Sequence, residues 1–190
     1  MSLRLFIAVN LPAEERRAAW DATAPLRTGA APVKWVAEEN LHVTMRFLGP
    51  VEEIQAAEIG ALLAQSVRGL KPFDVGLGGC GAFPDQGNPK VLWIGVEKHP
   101  ALELLANDVE RVVSRFGFEP ELRPFQPHVT IGRARKDAPR DGLREVVEQL
   151  GRVDYASVVP VESVDLMESR TSGNGPGYRV VQRATLGGGA

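Results

Sequence analysis

Apolar residues along the chain switch repeatedly between a period of two and a period near 3.6, the signatures of strands and helices. Residues 3–9 form a near-continuous apolar run and predict a first strand. Asn10 then stands where a helix cap is expected, with Pro12 in the first turn and the pattern continuing through Trp20 toward Leu26. Residues 34–36 and 41–48 predict extended segments, the second ending at Gly49-Pro50. A helix over 52–70 is expected from the stripe Ile54, Ile59, Leu62, Leu63 and Val67. Strands over 73–77 and 91–96 flank a Gly- and Pro-rich connection at 78–89. Leu102, Leu105, Val109, Val112, Val113 and Phe116 predict a second long helix over 101–116. A strand carrying His128, a shorter helix over 143–150, and strands over 155–159, 161–167 and 178–185 complete the chain. The loop 171–177 reads as a hairpin connection.

Strands and helices thus alternate twice with no clear linker between the halves. The prediction is an α+β fold: one domain, 1–190, of two pseudo-repeated lobes with largely antiparallel sheets. A length of 190 residues suffices for that.

Composition narrows the function only modestly. A net charge of -2 gives no global pull toward nucleic acid, so an RNA partner would be gripped locally, at an end. The single Cys80 excludes an internal disulfide framework and a cysteine-cluster zinc site, and reads as a small buried hydrophobe. The apolar start carries Arg4 and runs into Pro12 and Glu14, which favours a strand over a signal segment. No stretch approaches the roughly 20 apolar residues a membrane helix needs. A soluble cytoplasmic protein with no membrane partner is expected.

The chemistry lies in a repeated pattern, His-x-Thr-x, at His42-Val43-Thr44-Met45 and again at His128-Val129-Thr130-Ile131. These are two of the chain's three histidines. In a strand, each His and its Thr share one face while the intervening apolar residues share the other. Two such strands side by side would gather two proton carriers and two hydroxyls. Opening a phosphodiester without metal needs a base for water and an acid for the departing alkoxide, and imidazole, with an ordinary pKa of ~6.5, serves as either. Threonine hydroxyls aimed at the non-bridging oxygens would hold the phosphate and stabilise its developing charge.

The chain also resembles the two-histidine phosphoesterases, and within them the LigT-like RNA 2′,3′-cyclic phosphodiesterases of the 2′-5′ RNA ligase family. The resemblance rests on Arg4-Leu5-Phe6-Ile7-Ala8-Val9, on His42 through Gly49, and on Ala82-Phe83-Pro84 with Lys90 through Val96. Phe125 through Arg133, Leu166-Met167-Glu168-Ser169 and Tyr178 follow in the family's order. It implies a bilobal fold with outer helices and a central cleft, one motif from each lobe, and no required metal or organic cofactor. It implies opening of an RNA 2′,3′-cyclic phosphate, or of a cyclic nucleotide, to a 2′-phosphate. His128 is assigned as the base and His42 as the acid, and the mirror assignment stays open because a symmetric site does not declare its direction. Thr44 and Thr130 would hold the phosphate.

Arg46, four residues after His42, should face the cleft and meet substrate. Arg133, at an odd offset from His128, should face away unless a bulge near Gly132 turns it back. Phe6, Phe47, Phe83 and Phe125 read as core, with one at the cleft rim to stack a nucleobase. His99 reads as a surface histidine, and the glycines of 76–87 lack the Gly-Lys-Ser/Thr ending of a phosphate loop. Two other functions use the same residues: 2′-5′ joining of RNA ends, and RNA-end or nucleotide binding without turnover. Nothing in the sequence requires more than a monomer or a protein partner.

Overall fold

The computed structural model describes residues 1–28, 31–85, 88–172 and 175–188. Nine strands among the described residues form one sheet. They are β1 (Ser2–Asn10), β2 (Val33–Trp35), β3 (His42–Glu52), β4 (Phe73–Phe83), β5 (Val91–Val96), β6 (His128–Ala134), β7 (Ala156–Val161), β8 (Ser163–Ser172) and β9 (Gly175–Thr185). Four α-helices accompany them among the same residues: α1 (Ala13–Ala22), α2 (Glu53–Ser66), α3 (Pro100–Ser114) and α4 (Arg140–Leu150). None of these helices is long and apolar enough to cross a membrane.

The strand order is β7-β4-β5-β6-β3-β1-β8-β9, with β2 added alongside β6. Every pairing is antiparallel. The two motif strands, β3 and β6, lie next to each other at the middle. β1, β8 and β9 extend the sheet on one side, and β5, β4 and β7 on the other. The expected two lobes are the two halves of this curled sheet.

The sheet has a helix-covered face and an open one. Leu5, Ile7 and Val9 of β1, Val43 of β3, Val129 of β6, and Leu166 of β8 all join one large core cluster. That cluster includes Ile59 and Leu63 of α2, Leu105 and Val109 of α3, and Leu143 and Val146 of α4. Phe6, Ala8 and Met167 point to the opposite face and form a second, small cluster with Tyr178 packed on it. A central strand buried on both faces explains the unbroken apolar run that begins the chain.

The expected elements are all present, with four corrections. Asn10 is the last residue of β1, not a helix cap; Pro12 takes the cap position of α1, and the Asn10 side chain serves the open face instead. β3 does not stop at Gly49-Pro50 but bends through them to Glu52. β4 continues through the glycines to Phe83, because Gly81 leaves room for the Trp93 ring of β5, which a Cβ would meet at 2.4 Å. Ile54 is 79% exposed at the start of α2, outside the stripe that packs. His99 plays a structural part. Its Nδ1 accepts from the Ala101 backbone N–H at 3.2 Å, capping α3, and its ring stacks on Phe73. Gly173 and Asn174 of the expected hairpin connection, and Gln86 and Gly87 of the glycine-rich stretch, lie outside the described residues.

Candidate active site

β3 and β6 meet at the pair Val43↔Val129, and both valines are buried in the core. Neighbouring residues must then project to the open face, so His42, Thr44, His128 and Thr130 share it. Antiparallel pairing about that point sets His42 across from Thr130 and Thr44 across from His128. The two motifs are thus related by an approximate two-fold axis through the sheet.

Each imidazole is oriented in the same way. His42 Nδ1–H donates to the Asn40 carbonyl at 2.7 Å, and His128 Nδ1–H donates to the Gln126 carbonyl at 2.7 Å. A carbonyl only accepts, so the proton on Nδ1 is fixed and Nε2 is the working nitrogen of both rings. The Thr44 hydroxyl lies 3.0 Å from His42 Nε2. The carbonyls come from the short 3-10 turn Glu38–Asn40 and from the irregular segment ahead of β6.

Aromatic rings support the imidazoles from the side. Phe6 lies 5.1 Å and Tyr178 5.3 Å from the His42 ring, Tyr178 nearly perpendicular to it. Phe83 stands edge-on to His128 at 5.2 Å and leans on Trp93. Burial pushes the His42 imidazole below its ordinary value. The Asn40 carbonyl opposes that shift, and the Arg133 charge and the coupling to the second imidazole, His128, add to it.

Bulges decide where both arginines go. Between β1 and β3 the register slips, so that Ala8 faces Thr44 but Ile7 faces Arg46 and Phe6 faces Phe47. Arg46 therefore lies on the helix-covered face and not in the cleft, against the expectation from regular alternation. There it pairs with Glu110 of α3 at 3.3 Å and Glu121 at 3.2 Å, and donates to the Glu119 carbonyl. Phe47 takes the open face instead; it is 62% exposed beside Phe6, a rim residue and not core. Between β5 and β6 a second slip lets Trp93 face Thr130 while Val91 faces Arg133. The alternation restarts past Ile131, and Arg133 joins His128 and Thr130 on the open face.

Several groups at the site went unassigned in the sequence. Tyr178 stood only as a landmark of the resemblance, and nothing local placed it against His42. Asn10 is the register partner of His42, and its amide donates to Asp165 at 2.9 Å and to Met167 sulfur at 3.3 Å. Asp165 in turn holds Arg183 of β9. Only the strand order reveals these neighbours. Cys80 lies apart from the histidines, half-buried, its thiol pushed up to about 11 by burial. Among the described residues no three His, Cys, Asp or Glu side chains gather as a metal cluster.

Comparison with known proteins agrees with this fold. The sequence profile of the 2′-5′ RNA ligase superfamily matches residues 15–173. An Aeropyrum pernix protein named RNA 2′,3′-cyclic phosphodiesterase is 39% identical over 151 residues, 79% of this chain and 84% of its own. A Methanothermobacter thermautotrophicus protein of the same name is 34% identical over 178 residues, 94% of this chain and 96% of its own. Among solved structures, a Thermus thermophilus protein superposes with a TM-score of 0.76 at 30% identity, covering 99% of this chain and 100% of that one. E. coli LigT complexed with 3′-AMP gives 0.75 at 27% identity, covering 98% and 99%.

Proposed function

The chain belongs to the 2′-5′ RNA ligase superfamily, and from that premise we propose that it hydrolyses the 2′,3′-cyclic phosphate at an RNA end to a 2′-phosphate. The observation that carries the reading is the pairing of β3 with β6 at Val43↔Val129, which brings two proton carriers and two hydroxyls to one face. A binding module would have no need of two imidazoles fixed through Nδ1 with Nε2 turned outward. The names of the relatives from Aeropyrum and Methanothermobacter point to the same reaction.

In this reading the cyclic phosphate sits between the two Nε2 atoms. The Thr44 and Thr130 hydroxyls and the Arg133 guanidinium meet its non-bridging oxygens, where charge develops. The water oxygen bonds to phosphorus as His128 Nε2 takes its proton. The P–O3′ bond breaks as His42 Nε2–H gives a proton to O3′. Burial disfavours the charged form of the free His42 imidazole, and the arriving anion offsets the Arg133 charge, so that the proton is taken up with substrate. All of these groups come from one chain, so no second copy is needed.

The test is turnover of a short RNA ending in a 2′,3′-cyclic phosphate, in excess chelator. Wild type should form a 2′-phosphate, and His42→Ala and His128→Ala should each lose about 10²–10⁴ in rate while remaining folded. A substrate whose leaving atom is 3′-sulfur needs no acid, so it should restore much of the rate to His42→Ala and none to His128→Ala. Rescue of the other variant would assign the mirror roles. Loss of wild-type activity in chelator, regained with a divalent metal, would overturn the metal-free reading.

A further inference from the structure

Among the described residues, the open face of the sheet carries a charged constellation that the hydrolysis step does not use. Directly opposed residues of antiparallel strands point to the same side. The pairs Asn10↔His42, Ala8↔Thr44, Ala8↔Asp165 and Asp165↔Arg183 therefore place Asp165 and Arg183 on the face that bears the motifs. Asp165 is 0% exposed, yet it is charged and lies across the sheet from the helix-covered core. One of its oxygens accepts from the Asn10 amide, and the carboxylate as a whole grips Arg183 through Nε at 3.2 Å and Nη2 at 3.1 Å. The Arg183 side chain is 60% exposed. A guanidinium has five N–H donors, and this grip uses only the inner edge. The outer donors face solvent above the sheet, held still by a carboxylate beneath them.

Arg183 stands three strands from Thr44 on one rung of the sheet, a lateral separation of roughly 14 Å at ordinary strand spacing, and His42 lies two residues beyond that rung. That is too far for it to touch the phosphate held between the histidines. It lies instead where a chain leaving the site across β1 and β8 would pass. The other arginines of this hairpin do not compete for the role: Arg170 and Arg179 are both bound to Glu168, which pairs with Leu5 on the helix-covered side. The overall charge of -2 also means that a grip on RNA must come from placed residues and not from the general field.

We propose that Arg183, braced by Asp165 and Asn10, forms a second phosphate subsite that binds a backbone phosphodiester 5′ of the RNA's cyclic end. The proposal rests on the hydrolase reading above and extends it from the terminal phosphate to the preceding nucleotides. It makes the substrate an RNA chain in preference to a free cyclic mononucleotide. Phosphate contacts of this kind fix register without reading sequence.

The experiment compares kcat/KM on adenosine 2′,3′-cyclic phosphate with kcat/KM on RNAs of two to five nucleotides ending in the same cyclic adenosine. Wild type should favour the longer RNAs by about tenfold or more, the worth of one charged hydrogen-bonded contact, with the step appearing beyond the dinucleotide. Arg183→Ala would leave Asp165 buried without its partner, so the decisive variant is the neutral pair Asp165→Asn with Arg183→Gln. In that variant the length preference should fall toward one. Its salt slope on the longest RNA should flatten by about 0.7, the loss of one single-strand phosphate contact. An unchanged length preference and salt slope in the pair would overturn the subsite, as would equal use of short and long substrates by wild type, and either would leave hydrolysis standing. No turnover of any of these substrates by wild type would remove both readings together.

Discussion

At His42 three influences act on one proton. Burial lowers the affinity of the ring for it, the Asn40 carbonyl raises it, and Arg133 and His128 lower it again. The folded ring thus titrates below the ~6.5 of an unfolded chain. Between the folded and unfolded values the native state binds fewer protons, so this contribution to stability is present above ~6.5 and is lost as pH falls through the folded value. We expect the His42 ring signals in a proton NMR titration to midpoint below ~6.5, and bound phosphate to move that midpoint up. A midpoint at or above ~6.5 in the free protein would show that water reaches the ring far better than its packing against Phe6 and Tyr178 allows. At the same scale, Thr44→Val should cost about tenfold or more in kcat/KM while the fold persists, because it removes a hydroxyl that lies against the His42 ring and that we propose meets the phosphate.

At the scale of elements, the bulges decide which side chains the site receives. The slip at Ile131 turns Arg133 inward, and it leaves Gly132 beneath β2, where a Cβ would come within 2.7 Å of Val33 and 2.9 Å of Trp35. Gly132→Ala should therefore cost about 1–3 kcal/mol in urea denaturation through overpacking, and should lower activity by shifting Arg133. The slip at Met45 sends Arg46 the other way, to Glu110 and Glu121, where it ties down the segment that delivers Gln126 and His128. Arg46→Leu should speed amide exchange over residues 118–127 and reduce kcat several-fold, with the exchange in β1 unaltered. The long helices and the motif strands were legible because period and spacing are local: every apolar position predicted for α3 up to Val113 is buried. The facing of Arg46 and Arg133 was not, because one inserted residue reverses a strand's alternation and the pairing that creates the insertion lies elsewhere in the chain. The Asp165–Arg183 pair was hidden for a related reason, since its place beside the site depends on β8 pairing with β1, some 155 residues after Asn10.

For the molecule as a whole, the histidines belong to opposite halves, so their separation is only as fixed as the seam between β3 and β6. That seam carries little direct pairing, and its rigidity comes from the core behind it, a single cluster running from Leu5 and Ile7 through Val43 and Val129 to Leu92 and Ile94. Two halves joined through one core should not unfold separately. We expect one transition in urea, with far-UV circular dichroism and the fluorescence of Trp20, Trp35 and Trp93 tracing the same curve. Val43→Ala or Val129→Ala opens a cavity at the seam and should shift that entire curve by about 1–3 kcal/mol without splitting it. Either variant should also lower kcat more than its effect on KM, because the imidazoles lose their spacing while each keeps its own carbonyl. A split transition in either valine variant would mean that the halves are separable domains, and that substrate, rather than the core, brings the two histidines together.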